Sequence, residues 1–102
     1  MSYELVYIIR PNADEQTLAT VNEKVAKFVA ASAGEITKRD DWGKKRLAYP
    51  LLKFTEGFYQ VLQLNLPTNA LRELERSLQL TEDILRYLIV RVDPPSPNPP
   101  PS

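Results

Sequence analysis

The stretch Phe58-Tyr59-Gln60-Val61-Leu62-Gln63-Leu64-Asn65-Leu66-Pro67 decides how this chain folds. Its side chains alternate, with Leu62, Leu64 and Leu66 on one side and Tyr59, Val61, Gln63 and Asn65 on the other. A period of two marks a strand, because successive Cβ atoms of an extended chain point to opposite faces. Pro67 ends the run, and Thr68 and Asn69 open a helix whose apolar positions Leu71, Leu74 and Leu78 keep helical spacing to about Leu80. Further on, Ile84 to Val92 is dense in β-branched and aromatic residues and reads as a last strand. On the other side, Glu35 to Tyr49 reads as a long polar strand bent at Gly43. Pro50 closes that strand and cannot donate to a central ladder, so the strand belongs at a sheet edge. Between Asp14 and Gly34, the residues Leu18, Val21, Val25, Phe28 and Val29 recur on one side of an amphipathic helix, which Gly34 is expected to end in the left-handed conformation. Tyr3 to Ile9 is the first strand, stopped by Pro11 and Asn12.

The resulting order, βαββαβ, has one common compact solution. It is an α+β, ferredoxin-like arrangement: a four-stranded antiparallel sheet with both helices on one face, the first and third strands central and the second and fourth at the edges. Residues 1–93 then form one domain, and the Pro-rich run 94–102 is an extended, disordered tail with PxxP spacing. The sheet face away from the helices is left open, and function is sought there. If Leu5, Tyr7 and Ile9 point toward the helices, then Val6, Ile8 and Arg10 point away. Tyr59 and Val61 from the third strand and Tyr87 and Ile89 from the fourth are expected to join them in an apolar, aromatic patch. Such a patch on a small soluble domain implies a partner.

Composition narrows the chemistry. At 102 residues and 43% hydrophobic content the chain suits one core. It contains no cysteine and no histidine, which excludes disulfides, thiolate or imidazole metal sites, Cys nucleophiles and His acid/base catalysis. Thirteen basic and thirteen acidic residues cancel, unlike a protein that binds nucleic acid by bulk charge. Neither a membrane-spanning run nor a signal-peptide pattern is present, so a cytosolic protein is expected.

Against this neutral background the run Trp42-Gly43-Lys44-Lys45-Arg46-Leu47-Ala48-Tyr49-Pro50 places three cations between an indole and a phenol. Lys and Arg attract phosphate and release counterions, while Trp and Tyr stack on unpaired bases or pack against a partner, so the run reads as a local RNA contact. The opposing reading is an edge strand whose lysines discourage aggregation. The acidic pairs Asp40 with Asp41, and Glu82 with Asp83, read as structural, since adjacent strand residues diverge and turns favour such residues. Arg10 stands where acylphosphatases, enzymes of similar size and fold, hold phosphate, yet Pro11-Asn12-Ala13-Asp14 lacks the glycines of a phosphate cradle. No enzyme, cofactor, metal site or small-molecule substrate is expected.

Four segments together resemble the family of bacterial small-subunit ribosomal protein six. They are Tyr3-Glu4 with its apolar strand and Pro11-Asn12, the run from Trp42 to Pro50, Gly57-Phe58-Tyr59, and Asp83-Ile84-Leu85-Arg86-Tyr87, and the likeness covers nearly all of Met1 to Val92. The resemblance implies the same βαββαβ fold and a structural constituent of the small ribosomal subunit. It implies binding to the central domain of small-subunit rRNA in concert with small-subunit protein eighteen, in the cytoplasm and away from membranes. It carries an RNA-facing role onto Lys44, Lys45 and Arg46, with Lys53, Arg86, Tyr3 and Arg10 behind them, and a packing or partner role onto Trp42 and Tyr49. A neutral protein with an apolar open face suits a subunit that binds RNA jointly with a basic partner. The alternative is a ferredoxin-like regulatory or scaffold module that self-associates through the open face.

Overall fold

β1 (Ser2–Ile9) runs through the middle of the molecule, antiparallel to β3 (Phe54–Asn65) on one side and to β4 (Ile84–Arg91) on the other. β2 (Glu35–Leu51) adds to the outer side of β3, giving the sheet order β2-β3-β1-β4. The computed structural model describes residues 2–51 and 53–92; the Pro-rich tail and the domain's end at residue 93 lie outside the described residues. The helices α1 (Glu15–Ala31) and α2 (Leu71–Gln79), the latter entered through a tight turn at Thr68–Ala70, both pack on one sheet face. The arrangement is the ferredoxin-like one, with β1 and β3 central as the βαββαβ order implied.

The helix-covered face holds the core. Tyr3, Leu5, Tyr7 and Ile9 of β1 and Leu62 and Leu64 of β3 meet Val21, Val25 and Val29 of α1 and Leu74 and Leu78 of α2. Each of these side chains contributes about 1.5–3 kcal/mol of burial when fully removed from water. The Tyr7 hydroxyl reaches Asn22 Oδ1 of α1 at 2.5 Å, and burial raises its pKa far above the usual phenol range, so it stays a neutral donor.

Local chemistry sets the helix ends. Asp14 is extended and its Oδ1 accepts the Thr17 N–H at 2.8 Å, which satisfies one of the free donors of the first turn. At the other end the Ala33 N–H bonds Ala30 O at 3.1 Å and the Gly34 N–H bonds Val29 O at 2.8 Å, the pattern of a Schellman ending. The left-handed residue is Ala33, with φ of 58°, and not Gly34 as the sequence suggested. Gly34 is required for room instead. A Cβ there would lie 3.0 Å from Asn65 O, Val29 Cγ1 and Val29 O, where the chain turns off the helix against the end of β3.

Candidate functional site

The register of β1 assigns the open face. Val6 lies opposite Val61 and Leu88, and Ile8 lies opposite Tyr59 and Arg86, so these residues share the face away from the helices. Two expectations for β4 fail. Tyr87 is opposite Tyr7 and Ile89 is opposite Leu5, so both point toward the helices, where they pack against the core. The Tyr87 hydroxyl there accepts a hydrogen bond from Gln79 Nε2 of α2 at 2.9 Å. The open-face residues of β4 are Arg86, Leu88 and Val90, the last two exposed. β4 carries apolar side chains on both faces, so its sequence has no alternation from which to read a face, and a shift of one residue exchanges every side chain.

Two of the RNA-facing candidates are also occupied elsewhere. Tyr3 is 4% exposed and sits in the core opposite Leu64, so it has no path to a nucleic acid. Arg10 ends β1 and is half-buried; its Nε meets Asp83 Oδ1 at 2.6 Å and its Nη1 donates to Asn12 Oδ1 at 3.0 Å. Its backbone N–H donates to Asp83 O at 3.0 Å as well. This arginine ties the end of β1 to the turn before β4, and its charge is already met.

The remaining candidates gather on the hairpin of β2 and β3. Trp42 is an extra residue on β2, since Asp41 pairs with Gln60 and Gly43 with Tyr59. Gly43 has φ of 73°, a conformation that side chains with a Cβ rarely adopt. Asp41 Oδ1 fixes this bulge by accepting from the Gly43 N–H at 2.8 Å and from Nε2 of buried Gln60 at 2.9 Å. Beyond the bulge the cations alternate. Lys44 is opposite Phe58 and Lys45 is opposite Gly57, so Lys44 and Arg46 lie on one face of the hairpin and Lys45 on the other. Lys44 Nζ stands 5.3 Å from the Phe58 ring centre and Lys45 Nζ stands 4.8 Å from that of Trp42, which is 51% exposed. Lys53 lies in the hairpin turn with φ of 71° and is exposed. Among the described residues no carboxylate comes within ion-pair distance of Lys44, Lys45, Arg46, Lys53 or Arg86.

The hairpin then curls over the open face. Between the pairs Arg46–Glu56 and Leu51–Phe54, the four residues 47–50 of β2 face Thr55 alone, and this surplus bends the strand. Leu47 is carried down to 7% exposure although it follows three exposed cations. Tyr49 reaches across the sheet to β4, where Arg86 Nη1 donates to its hydroxyl and the guanidinium carbon stands 5.7 Å from its ring centre. Beneath this contact lies a hollow of about 70 Å³ lined by Ile8, Leu47, Ala48, Tyr49, Tyr59 and Arg86. Arg86 also borders an apolar groove of about 200 Å³ formed with Val6, Ile8, Tyr59, Tyr87 and Leu88. Structure thus brings Val6, Ile8, Tyr59, Val61, Tyr49 and Arg86 together and separates Ile89, Tyr3 and Arg10 from them, while Tyr87, whose hydroxyl turns to α2, still borders the groove between Arg86 and Leu88. Leu47, Leu88 and Val90 were missed; only the strand register and the bulge place them at the site. No helix among the described residues is long and apolar enough to cross a membrane.

The model of the family described as ribosomal protein S6 matches residues 2–91 of the chain. The small ribosomal subunit protein bS6 of Clostridioides difficile is 45% identical over 89 residues, covering 87% of this chain and 96% of that protein. The bS6 protein of Heliobacterium modesticaldum is 42% identical over 91 residues, covering 89% and 95%. Among solved structures, the 30S ribosomal protein S6 of Thermotoga maritima superimposes with a TM-score of 0.85 at 33% identity, covering 89% of this chain and 86% of that one.

Proposed function

Since the chain belongs to the ribosomal protein S6 family, we propose that it is a structural constituent of the small ribosomal subunit that binds the central domain of small-subunit rRNA through the β2–β3 hairpin while small-subunit protein eighteen covers the open sheet face. The chain is a structural ribosomal protein and not an enzyme, in line with its relatives. One observation carries the finer reading: four exposed cations with no carboxylate partner among the described residues sit on a hairpin that borders an apolar, exposed sheet face. Such cations keep their charge for phosphate, and Trp42 offers an indole for stacking. Val6, Leu88 and Val90 offer apolar contact to a protein. A chain whose formal net charge is zero gains RNA affinity most readily when a basic partner shares the contact.

The test is binding of the purified protein to a central-domain rRNA fragment, with and without protein eighteen, at two salt concentrations. Tight binding only with the partner is expected. If about four of the cations meet phosphate, the slope of log K against log salt is roughly −3 to −4, so a fourfold rise in salt costs roughly a hundredfold in affinity. Absence of binding under both conditions would refute the reading. A stable homodimer in size-exclusion chromatography would favour the self-associating module in its place.

A further inference from the structure

The contact between Tyr49 and Arg86 joins the two outer strands of the sheet across its open face. β2 and β4 are separated by β3 and β1, so no ladder hydrogen bond connects them. The connection exists because residues 47–50 are surplus in the β2–β3 ladder and turn inward. It roofs Ile8 and Tyr59, and Ile8 is reduced to 8% exposure on a face that carries no helix. The roof is held by a neutral phenol oxygen and a cation–π contact, with no carboxylate near the guanidinium among the described residues. Only the guanidinium side of this contact is charged, so it lacks the mutual attraction of opposite charges that holds an arginine–carboxylate pair, and the closure is releasable.

We propose that the Tyr49–Arg86 contact is a latch that keeps residues 47–49 closed over Ile8 and Tyr59, and that a protein docking on the open face must release it to fill the hollow beneath. Arg86 is the wall between the covered hollow and the exposed groove. Parting Tyr49 from Arg86 uncovers Ile8 and Tyr59, which line both the hollow and the groove. The latch therefore regulates access to the face on which the proposed function seats protein eighteen, and in that respect the inference rests on that reading. Its cost appears as slowed docking, because only the open fraction of molecules is competent to bind.

The test begins with the free protein, which needs no partner. Tyr49→Phe removes the hydroxyl and keeps the ring, while Arg86→Met keeps an apolar stem and removes the donor. Nile red, a neutral dye for apolar surface, and the nuclear Overhauser effect between Ile8 and Leu47 methyls report opening. Each variant should raise dye binding about fivefold and weaken the Overhauser effect, as expected for the loss of one hydrogen bond. The double variant should show no more than Arg86→Met alone, because that substitution already removes both the hydrogen bond and the cation–π contact. Unchanged dye binding and Overhauser effect in both singles overturns the latch. In stopped-flow mixing with protein eighteen, Tyr49→Phe should associate about fivefold faster than wild type. Equal or slower association overturns the gating role. If wild-type protein does not bind protein eighteen at all, the proposed function fails, and the latch is judged by the free-protein measurements alone.

Discussion

The split of the basic run across the two faces of the hairpin makes the proposed RNA contact testable. Lys44 and Arg46 project on one side and Lys45 with Trp42 on the other, all exposed and none paired with a carboxylate among the described residues. If both sides meet phosphate the hairpin must insert into the RNA, whereas a flat contact would use one side only. Each phosphate contact contributes about −0.9 to the salt slope on a duplex, and at about 0.1 M salt its loss lowers affinity roughly tenfold. Lys45→Ala should therefore flatten the slope by about 0.9, the pair Lys44→Ala with Arg46→Ala by about 1.8, and the triple variant by about 2.7. Corresponding affinity losses are roughly tenfold, a hundredfold and a thousandfold. Filter binding or fluorescence anisotropy of a labelled central-domain fragment, in the presence of protein eighteen and over a salt series, measures both quantities. Stability should change by no more than about 0.5 kcal/mol at Arg46. At Lys44 and Lys45 loss of the contacts with the Phe58 and Trp42 rings adds about 0.5–1 kcal/mol each. A silent Lys45→Ala beside an impaired pair, or the reverse, would refute insertion, and a triple variant with unchanged slope would refute the RNA role of the run.

Three further predictions concern the scaffold. Ala33→Gly should stabilise the protein by about 0.5–1 kcal/mol, since it relieves the left-handed strain at φ 58° while giving back part of the gain as unfolded-state entropy. Thermal unfolding should show a rise of about 4 °C, and a lower midpoint would place the left-handed position elsewhere. Gly57→Ala should cost about 2 kcal/mol, because a Cβ there would collide with Ile8 Cγ2 and lie 3.2 Å from Ile9 O. Urea unfolding should find this cost smaller in an Ile8→Ala background, and an equal cost in both backgrounds would exclude that contact as its cause. The third prediction concerns acid. The Thr17 backbone N–H, and then its side chain, hold the Asp14 carboxyl below its ordinary value of 3.8. A depressed folded-state pKa stabilises above the unfolded value, and the benefit disappears as pH falls through the folded one. Melting temperatures of Asp14→Asn and wild type, compared from pH 7 down to about pH 2, should converge below about pH 4, because Asn keeps the capping acceptor without the charge. A difference that is independent of pH would rule out the charged cap.

Sequence by itself determined the order of elements and the assignment of the central strands. Alternation in β3, the helical spacing of Val21, Val25 and Val29, and Pro50 at an edge are local signals, and local signals survive without tertiary contacts. The exposed cations Lys44, Lys45, Arg46 and Lys53 were legible for the same reason, since charge on an edge strand is a property of composition. What only the tertiary structure decided depends on register. Tyr87 and Ile89 went to the core, and Arg86 and Leu88 to the open face, because the pairing of β4 with β1 sets them and both faces of β4 are apolar. Tyr3 was claimed by the core and Arg10 by Asp83, contacts that bring together residues far apart in the chain. The left-handed turn fell on Ala33, and Gly34 is held small by Asn65 O at the end of β3, a neighbour that only the folded chain supplies. The fold of residues 47–50 over the open face followed from a surplus in the β2–β3 ladder, a count that exists only once two strands are paired.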